Sequence, residues 1–459
     1  MKLPFMDRRE EVRRLRRLLR RDEGSFGVLY GRRRCGKSRI LREVMPARSS
    51  VFYVGDDREA ALQRASLAGE IGSLLEGFGD VAYPDWEGLL ARWWREAPSG
   101  AVLVVDELPS LVARAPELPS LLQKHIDRDS HRGVHLLVSG SSQRMMQGLV
   151  LDRSAPLYGR ATEILDIAPL PAGWIEEVLA IGEAAHAVVA YSVWGGVPRY
   201  WELAADFDEL EPAVRDLVLD PLGVLHEEPM SLLLDDLRDT VQAASILSLI
   251  GRGCHRVSEI GGRMDKPATS LGRPLQRLME MGLVIREVPF GESVRSSRRS
   301  LYRIADPFLR YWFRFVEPNR SRLEARRVAA VEDDVRAGME HHVASVWEDL
   351  ARASVPHLRT AGGGWGAASR WWGAGLDRTQ LEVDVVAESA DGGRLLVGEA
   401  KWAAPRSGAR LLEDLRRKID RLPFAREHEV VPRLWLREAP EDLPSKYVIT
   451  PRQVMDGLR

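Results

Sequence analysis

The stretch Gly31-Arg32-Arg33-Arg34-Cys35-Gly36-Lys37-Ser38 constrains this chain more than any other. Two glycines with four residues between them, then Lys and Ser, fit a loop that cradles phosphates between a strand and a helix. The apolar run Phe26-Gly27-Val28-Leu29-Tyr30 before it reads as a buried strand, and Arg39-Ile40-Leu41-Arg42-Glu43-Val44 after it reads as a helix. In that setting the loop amides and the positive helix end hold phosphates, so Gly31 to Arg39 is the expected nucleotide-binding segment. Lys37 reaches the terminal phosphates, and Ser38 places its hydroxyl on Mg2+. The bland alternative, a glycine turn, does not account for the flanking strand and helix. The loop therefore predicts an α/β core with a parallel sheet.

The 459 residues suit about three domains. Net charge is −1, from 66 basic and 67 acidic residues, so any nucleic-acid contact must come from local basic patches. Two cysteines, Cys35 and Cys254, exclude a disulfide scaffold and a cysteine-rich zinc site, and suit a reducing, cytoplasmic setting. The start of the chain is charged from Lys2 and shows no apolar signal region. No apolar run approaches the roughly 20 residues of a membrane span, so no membrane association is expected.

Other features of the first 168 residues fit a nucleotide site. Asp7 is the expected cap of a helix with Val12, Leu15, Leu18 and Leu19 at helical spacing. Ala101 to Val105 form an apolar strand that leads into Asp106-Glu107. Acids there stand at the ligand-binding edge of a parallel sheet. Asp106 is expected to hold Mg2+ through water, and Glu107 to orient or deprotonate the attacking water. A third strand, Val134 to Val138, leads into Ser139-Gly140-Ser141-Ser142, which is either a polar sensor or a plain turn. Arg160, in Pro156-Leu157-Tyr158-Gly159-Arg160, is a candidate arginine finger across a homo-oligomer interface or within the chain, with a surface arginine as the alternative.

These pieces, with the Phe5 to Leu15 opening, Asp106-Glu107-Leu108-Pro109 and Ala155 to Arg160, resemble the archaeal-type ATPases in order and spacing. That family is a branch of the STAND P-loop NTPases related to the AAA+ class, and the resemblance implies ATP as the nucleotide. Residues 169–236 read as a helical lid with Trp174, Ile175, Val178 and Leu179 at core spacing. Trp194-Gly195-Gly196-Val197-Pro198-Arg199-Tyr200 resembles the Gly-x-Pro motif of STAND lids, which implies that Pro198 senses the base. A Gly-Pro turn is the simpler alternative.

Residues 237–318 carry the pattern of a winged helix-turn-helix. It comprises a helix ending at Gly251, a second from Val257, and a third over Ser270 to Met281 with Gly282 as its cap. A hairpin holding Arg295, Arg298 and Arg299 follows. With Arg273 and Arg277 it suits DNA contacts, although such modules also dock proteins. Pro274 would kink the third helix unless that helix begins near it. Phe308, Tyr311, Trp312 and Phe315 share one helix face and read as core.

In residues 319–459, Leu381 to Val386 and Leu395 to Trp402 read as two strands. Glu399 and Lys401 share a strand face, Asp384 sits beside them if the strands pair, and Glu348 lies on an upstream helix. The order resembles the PD-(D/E)xK nucleases, which implies a restriction-endonuclease-like α/β domain. Asp384 and Glu399 would then hold Mg2+, Glu348 would add a ligand, and Lys401 would position the attacking water. Glu382 is a weaker candidate. Arg416, Arg417 and Lys418 on the next helix either meet a DNA backbone or are solvated, and His341-His342 reads as structural. The chain is thus expected to be a DNA-binding ATPase whose tail is a Mg2+-dependent endonuclease. The alternative is a nucleotide switch or defence scaffold with an inactive tail. A helicase or motor would need further motifs, which the sequence does not supply.

Overall fold

Unbroken apolar runs make strands that are buried on both faces, and the unit Asp7–Pro169 is built on them. The computed structural model describes residues 3–128, 132–236, 239–297, 299–358 and 363–459. In this unit β1 (Phe26–Tyr30), β2 (Ser50–Val54), β3 (Val102–Asp106), β4 (His135–Gly140) and β5 (Glu163–Asp166) form one parallel sheet in the order β2-β3-β4-β1-β5. The C-terminal ends of β1, β3 and β4 therefore fall along one edge, where open α/β sheets bind ligands. Leu103, Val105, Leu136 and Val138 join Trp86 and Trp93 in the core. Those tryptophans come from the helix Trp86–Glu96, capped by Asp85, whose carboxylate accepts from the Gly88 amide.

Asp7 does not cap the first helix. That helix spans Arg9–Leu18, its cap position is Arg8, and no side chain bonds its first amides. Both Asp7 (φ 52°) and Arg8 (φ 63°) are left-handed, which turns the chain away from the geometry a capping carboxylate needs. The Arg8 guanidinium instead runs inward and donates to the carbonyls of Cys35 and Ala168.

The second unit comprises Leu170–Arg459 together with the residues before Asp7. It opens with short helices, among them Ala184–Trp194 and Pro198–Ala204. Three more helices follow, Thr240–Gly251, Val257–Arg263 and Gly272–Glu280, and then the antiparallel pair β6 (Val284–Glu287) and β7 (Leu301–Ile304). Gly282, at φ 66°, closes the third helix by donating its N–H to the Met279 carbonyl. Pro274 does not kink that helix. The α-helix starts at Gly272, so the proline lies in the first turn, where no intrahelical N–H bond is lost.

Of the hairpin arginines, Arg298 lies outside the described residues. Arg299 donates to the Trp372 carbonyl, and the Phe290 amide donates to the Arg370 carbonyl at 3.0 Å. The segment between β6 and β7 is thus pinned to β8 (Ser369–Ala374), the edge strand of the tail sheet.

That sheet adds β9 (Gln380–Glu388), β10 (Arg394–Lys401), β11 (Glu429–Leu436) and β12 (Val448–Ile449), in the order β12-β11-β10-β9-β8. The strands β8, β9 and β10 pair antiparallel. The parallel pairing of β10 with β11 is spanned by the helix Gly408–Arg421. The long helix Val328–Ser354 packs on β9 and β10, and its Trp347 indole donates to the Trp435 carbonyl. The aromatics Phe308, Tyr311, Trp312 and Phe315 are all core residues.

The boundaries near 236 and 318 are changes of local structure within one continuous hydrophobic cluster. That cluster takes in Trp194 and Trp201, Ile246, Trp312, Trp347 and Trp435. The helix Pro451–Gly457 packs into the early helices of the unit: the Gly173 amide donates to the Leu458 carbonyl, and a Cβ at Gly173 would collide with the Met455 carbonyl oxygen.

Candidate functional site

The phosphate-binding loop follows β1 directly. Gly31 (φ 137°) and Gly36 (φ 94°) hold it in conformations that side chains rarely adopt. A Cβ at Gly31 would meet the Ile167 carbonyl oxygen at 2.5 Å, whereas one at Gly36 would point into open space. Gly36 thus leaves room beside the backbone at the start of the helix Lys37–Val44. The buried Lys37 ammonium donates to the Gly31 carbonyl at 2.9 Å and to the Arg32 carbonyl at 3.1 Å. Ser38 stands at the second position of that helix and Arg39 at the third. Cys35 and Cys254 are both buried, and neither is in a disulfide.

Asp106 ends β3, and Glu107 follows in a left-handed conformation at φ 54°. Each carboxylate is held by a serine from the end of β4. The Ser139 hydroxyl donates to Asp106, and the Ser141 hydroxyl and amide both donate to Glu107. Glu107 therefore has both oxygens engaged. Arg160 makes a two-pronged pair with Asp127, at 2.8 and 2.9 Å, and also donates to the Pro156 and Tyr158 carbonyls. Pro198 begins the helix Pro198–Ala204 in the other unit.

The tail gathers its candidates at one end of β9 and β10. The Asp384 carboxylate accepts from the Ala400 amide at 3.0 Å and from the Lys401 ammonium at 3.2 Å. Lys401 also lies 3.0 Å from Glu399, and Lys418 from the crossover helix donates to the other Glu399 oxygen at 2.6 Å. Of Arg416, Arg417 and Lys418 on that helix, Lys418 is the one that meets Glu399. Arg416 donates to the Tyr447 hydroxyl, and Arg417 pairs with Asp414.

Burial, reinforced by the negative charge of Asp384, pushes Glu348 up to about 7 and raises Glu399 against the pull of Lys401 and Lys418. Burial pulls Lys401 down, but Glu399 and Asp384 outweigh it and hold the ammonium well above the usual lysine range. Glu382 is turned away to pair with Arg370. His342 is fully buried, with Nε2 on the Ser192 carbonyl.

A layer of buried charge behind the tail site has no simple mark in the sequence. Asp349 accepts from Arg303, Arg310 and Arg352, and Arg352 also donates to the Asp384 carbonyl at 2.9 Å. Burial would raise Asp349, yet the three guanidiniums hold it far below the usual carboxylate range. Arg352 thereby fixes the backbone that presents Asp384. The one available signal was the Glu348-Asp349 pair on a helix otherwise spaced for core packing.

Comparison with known proteins separates the two regions. Residues 5–203 match the family described as an ATPase domain predominantly from Archaea. The chain carries an archaeal-type ATPase domain. Residues 312–417 match a family of archaeal and bacterial proteins of unknown function, and that span includes Glu348, Asp384, Glu399 and Lys401. An uncharacterised protein of Methanocaldococcus jannaschii is 26% identical over 422 residues, covering 90% of this chain and 91% of its own. The Walker-type ATPase of Pyrococcus abyssi is 19% identical with a TM-score of 0.50, covering 68% of this chain and 96% of its own. The ORC2 protein of Aeropyrum pernix is 17% identical with a TM-score of 0.46, covering 73% and 95%. The fold of the archaeal-type ATPase domain is that of a P-loop NTPase, and ATP is its substrate. Among the described residues no helix is long and apolar enough to cross a membrane.

Proposed function

We propose that the chain is an ATP-dependent, DNA-binding protein whose tail is a Mg2+-dependent DNA endonuclease under nucleotide control. In the ATPase domain, Lys37 leaves its loop carbonyls for the terminal phosphates, while Ser38 and Asp106 are the residues that would hold Mg2+. Glu107 orients the attacking water once Ser141 releases it, so the serine contact describes a resting arrangement. Arg160 would serve as an arginine finger after exchanging Asp127 for a phosphate. Pro198 is assigned to sensing the base.

One observation carries the nuclease reading: a single lysine, Lys401, bridges two buried carboxylates of neighbouring strands, Asp384 and Glu399. The donor set is all oxygen, and Glu348, raised by burial and by the Asp384 charge, marks surplus negative charge that suits a hard dication. Asp384 and Glu399 would hold Mg2+, which supplies positive charge at the scissile phosphate. Lys401 stays protonated, so it orients water and offsets charge rather than accepting a proton. Arg273, Arg277 and Arg295, all exposed on the winged segment, are the expected DNA contacts. Cleavage of supercoiled plasmid with Mg2+, with and without ATP, tests the reading. Cleavage that persists in Lys401→Ala, or no cleavage of any DNA form, overturns it.

A second reading, a nucleotide switch with an inactive tail, draws on two observations. Lys418 occupies Glu399, and among the described residues no group of three or more His, Cys, Asp or Glu side chains is arranged to hold a metal ion. Nucleotide-free Mg2+ binding to the full chain that is unchanged by Asp384→Ala favours the switch.

A further inference from the structure

A second basic centre shares Arg303 and Arg310 with the charged layer behind the tail site. A cavity of about 330 Å³ opens among the turn after the helix Thr240–Gly251, strand β7, the segment Arg310–Arg314 and the long helix Val328–Ser354. Its wall presents four guanidiniums, Arg252, Arg303, Arg310 and Arg314, and two imidazoles, His255 and His341, and no lining residue is acidic.

The wall divides by how its charge is met. Arg303 and Arg310 form a fixed floor. Asp349 accepts from both behind the cavity, and the Ser345 hydroxyl accepts from each at 3.1 Å. Arg252 is answered by Glu317 at 2.9 Å. Arg314 is not answered. Its guanidinium lies 5.3 Å from the Phe315 ring centroid, burial pulls its pKa down, and among the described residues it has no carboxylate partner. A half-buried cation without a counter-charge is costly, and an anion in the cavity would offset that cost. Ile250 and Ile304 are the large apolar side chains of a wall otherwise dominated by basic groups, so charge is the main means of recognition.

We propose that this cavity binds a phosphate group, with Arg314 as the principal donor on the Arg303–Arg310 floor. Guanidiniums in fork geometry match phosphate oxygens, and the rigid floor needs little reordering on binding. The phosphate belongs either to a nucleic-acid backbone or to a free phosphorylated small molecule. The site does not depend on the nuclease reading, because it shares no residue with Asp384, Glu399 or Lys401.

The test is calorimetric titration of the full chain with pyrophosphate, with EDTA present and excess ADP filling the phosphate loop. One binding event is expected. Arg314→Gln should weaken it about tenfold or more, the scale of one charged hydrogen bond, while Arg252→Gln weakens it less. A short DNA duplex that displaces pyrophosphate assigns the pocket to a backbone phosphate, and a duplex that leaves it bound assigns the pocket to a free phosphorylated ligand. Absence of binding, or wild-type affinity in both variants, overturns the proposal. If Arg314→Gln does not fold, Arg252→Gln and His341→Gln, both at exposed positions, decide it by the same criterion.

Discussion

The two carboxylate pairs of this protein are held in opposite ways. Asp106 and Glu107 accept from serine hydroxyls, which bring no charge, while Lys37 is turned onto loop carbonyls. Asp384 and Glu399 are met by lysines, Lys401 on both and Lys418 on one. The first pair is met by neutral donors, and a bound cation would complete it. The second is largely neutralised from within. A hydroxyl clamp yields to a ligand through a small rotation. A lysine clamp yields only to something that replaces its charge. On the proposed reading, nucleotide binding would thus be the low-barrier event and metal binding in the tail the guarded one.

The sharpest way to break this comparison is Glu107→Gln. It should leave ATP binding intact and lower turnover about 10³-fold, as loss of a general base does, measured by steady-state phosphate release. Retained turnover would mean that Glu107 is structural. Next, Lys401→Ala should lower Mg2+-dependent plasmid cleavage about 10²-fold and leave ATP turnover unchanged, since the two lysine roles are separate. A parallel fall in both would deny that separation.

A smaller effect is thermodynamic. Burial holds His342 down at about 3, against about 6.5 in the unfolded chain. The unfolded chain therefore binds the extra proton between those values. The contribution to stability is fully present above about pH 6.5 and lost as pH falls, by about 1.4 kcal/mol per unit. Urea unfolding at pH 7 and pH 5 should show the loss, and His342→Gln should reduce it. Buried His135 in the first unit is shifted the same way, so both units weaken in acid. The smallest expected change is in Lys418→Met: removing a partly exposed ion-pair partner should raise Mg2+ affinity of the nucleotide-free chain about two- to fivefold. A fall in affinity would make Lys418 part of the binding site rather than its guard.

The ease of reading these sites from sequence follows the same divide. The phosphate loop is contiguous, and backbone conformation is its mechanism, so two glycines and a lysine are enough to find it. Asp106 stands out because a carboxylate closing an all-apolar strand is costly to bury unless a ligand or a polar partner meets it. In the tail, strand alternation placed Glu399 and Lys401 on one face. It said nothing of Lys418, which shared a basic cluster with Arg416 and Arg417 until the helix orientation turned it onto Glu399. Asp349 and Glu176 were harder still. A helical acid normally faces water, and these are drawn inward, Asp349 in part and Glu176 fully, by arginines from distant segments, Arg303 and Arg310 for the one and Arg452 and Arg459 for the other. Periodicity reports which face is inside, and it cannot report a charge imported from far along the chain. Asp7 failed for a local reason, since two successive left-handed residues undo a cap that composition alone favours.

The placement of the helix Pro451–Gly457 has a consequence for how the protein is made. Leu3 and Met6 pack in the same cluster as Val454 and Met455, while Asp7–Pro169 forms its own unit. During synthesis that unit has all its strands once residue 169 has left the ribosome, and it can fold at once. The residues on either side of it must wait for several hundred more, until residues 451–459 arrive to seal Gly173 and neutralise Glu176. Throughout that interval a finished nucleotide-binding unit is tethered to an unsealed apolar surface. The nascent chain is therefore most exposed to aggregation and proteolysis late in translation, long after its most recognisable part is complete.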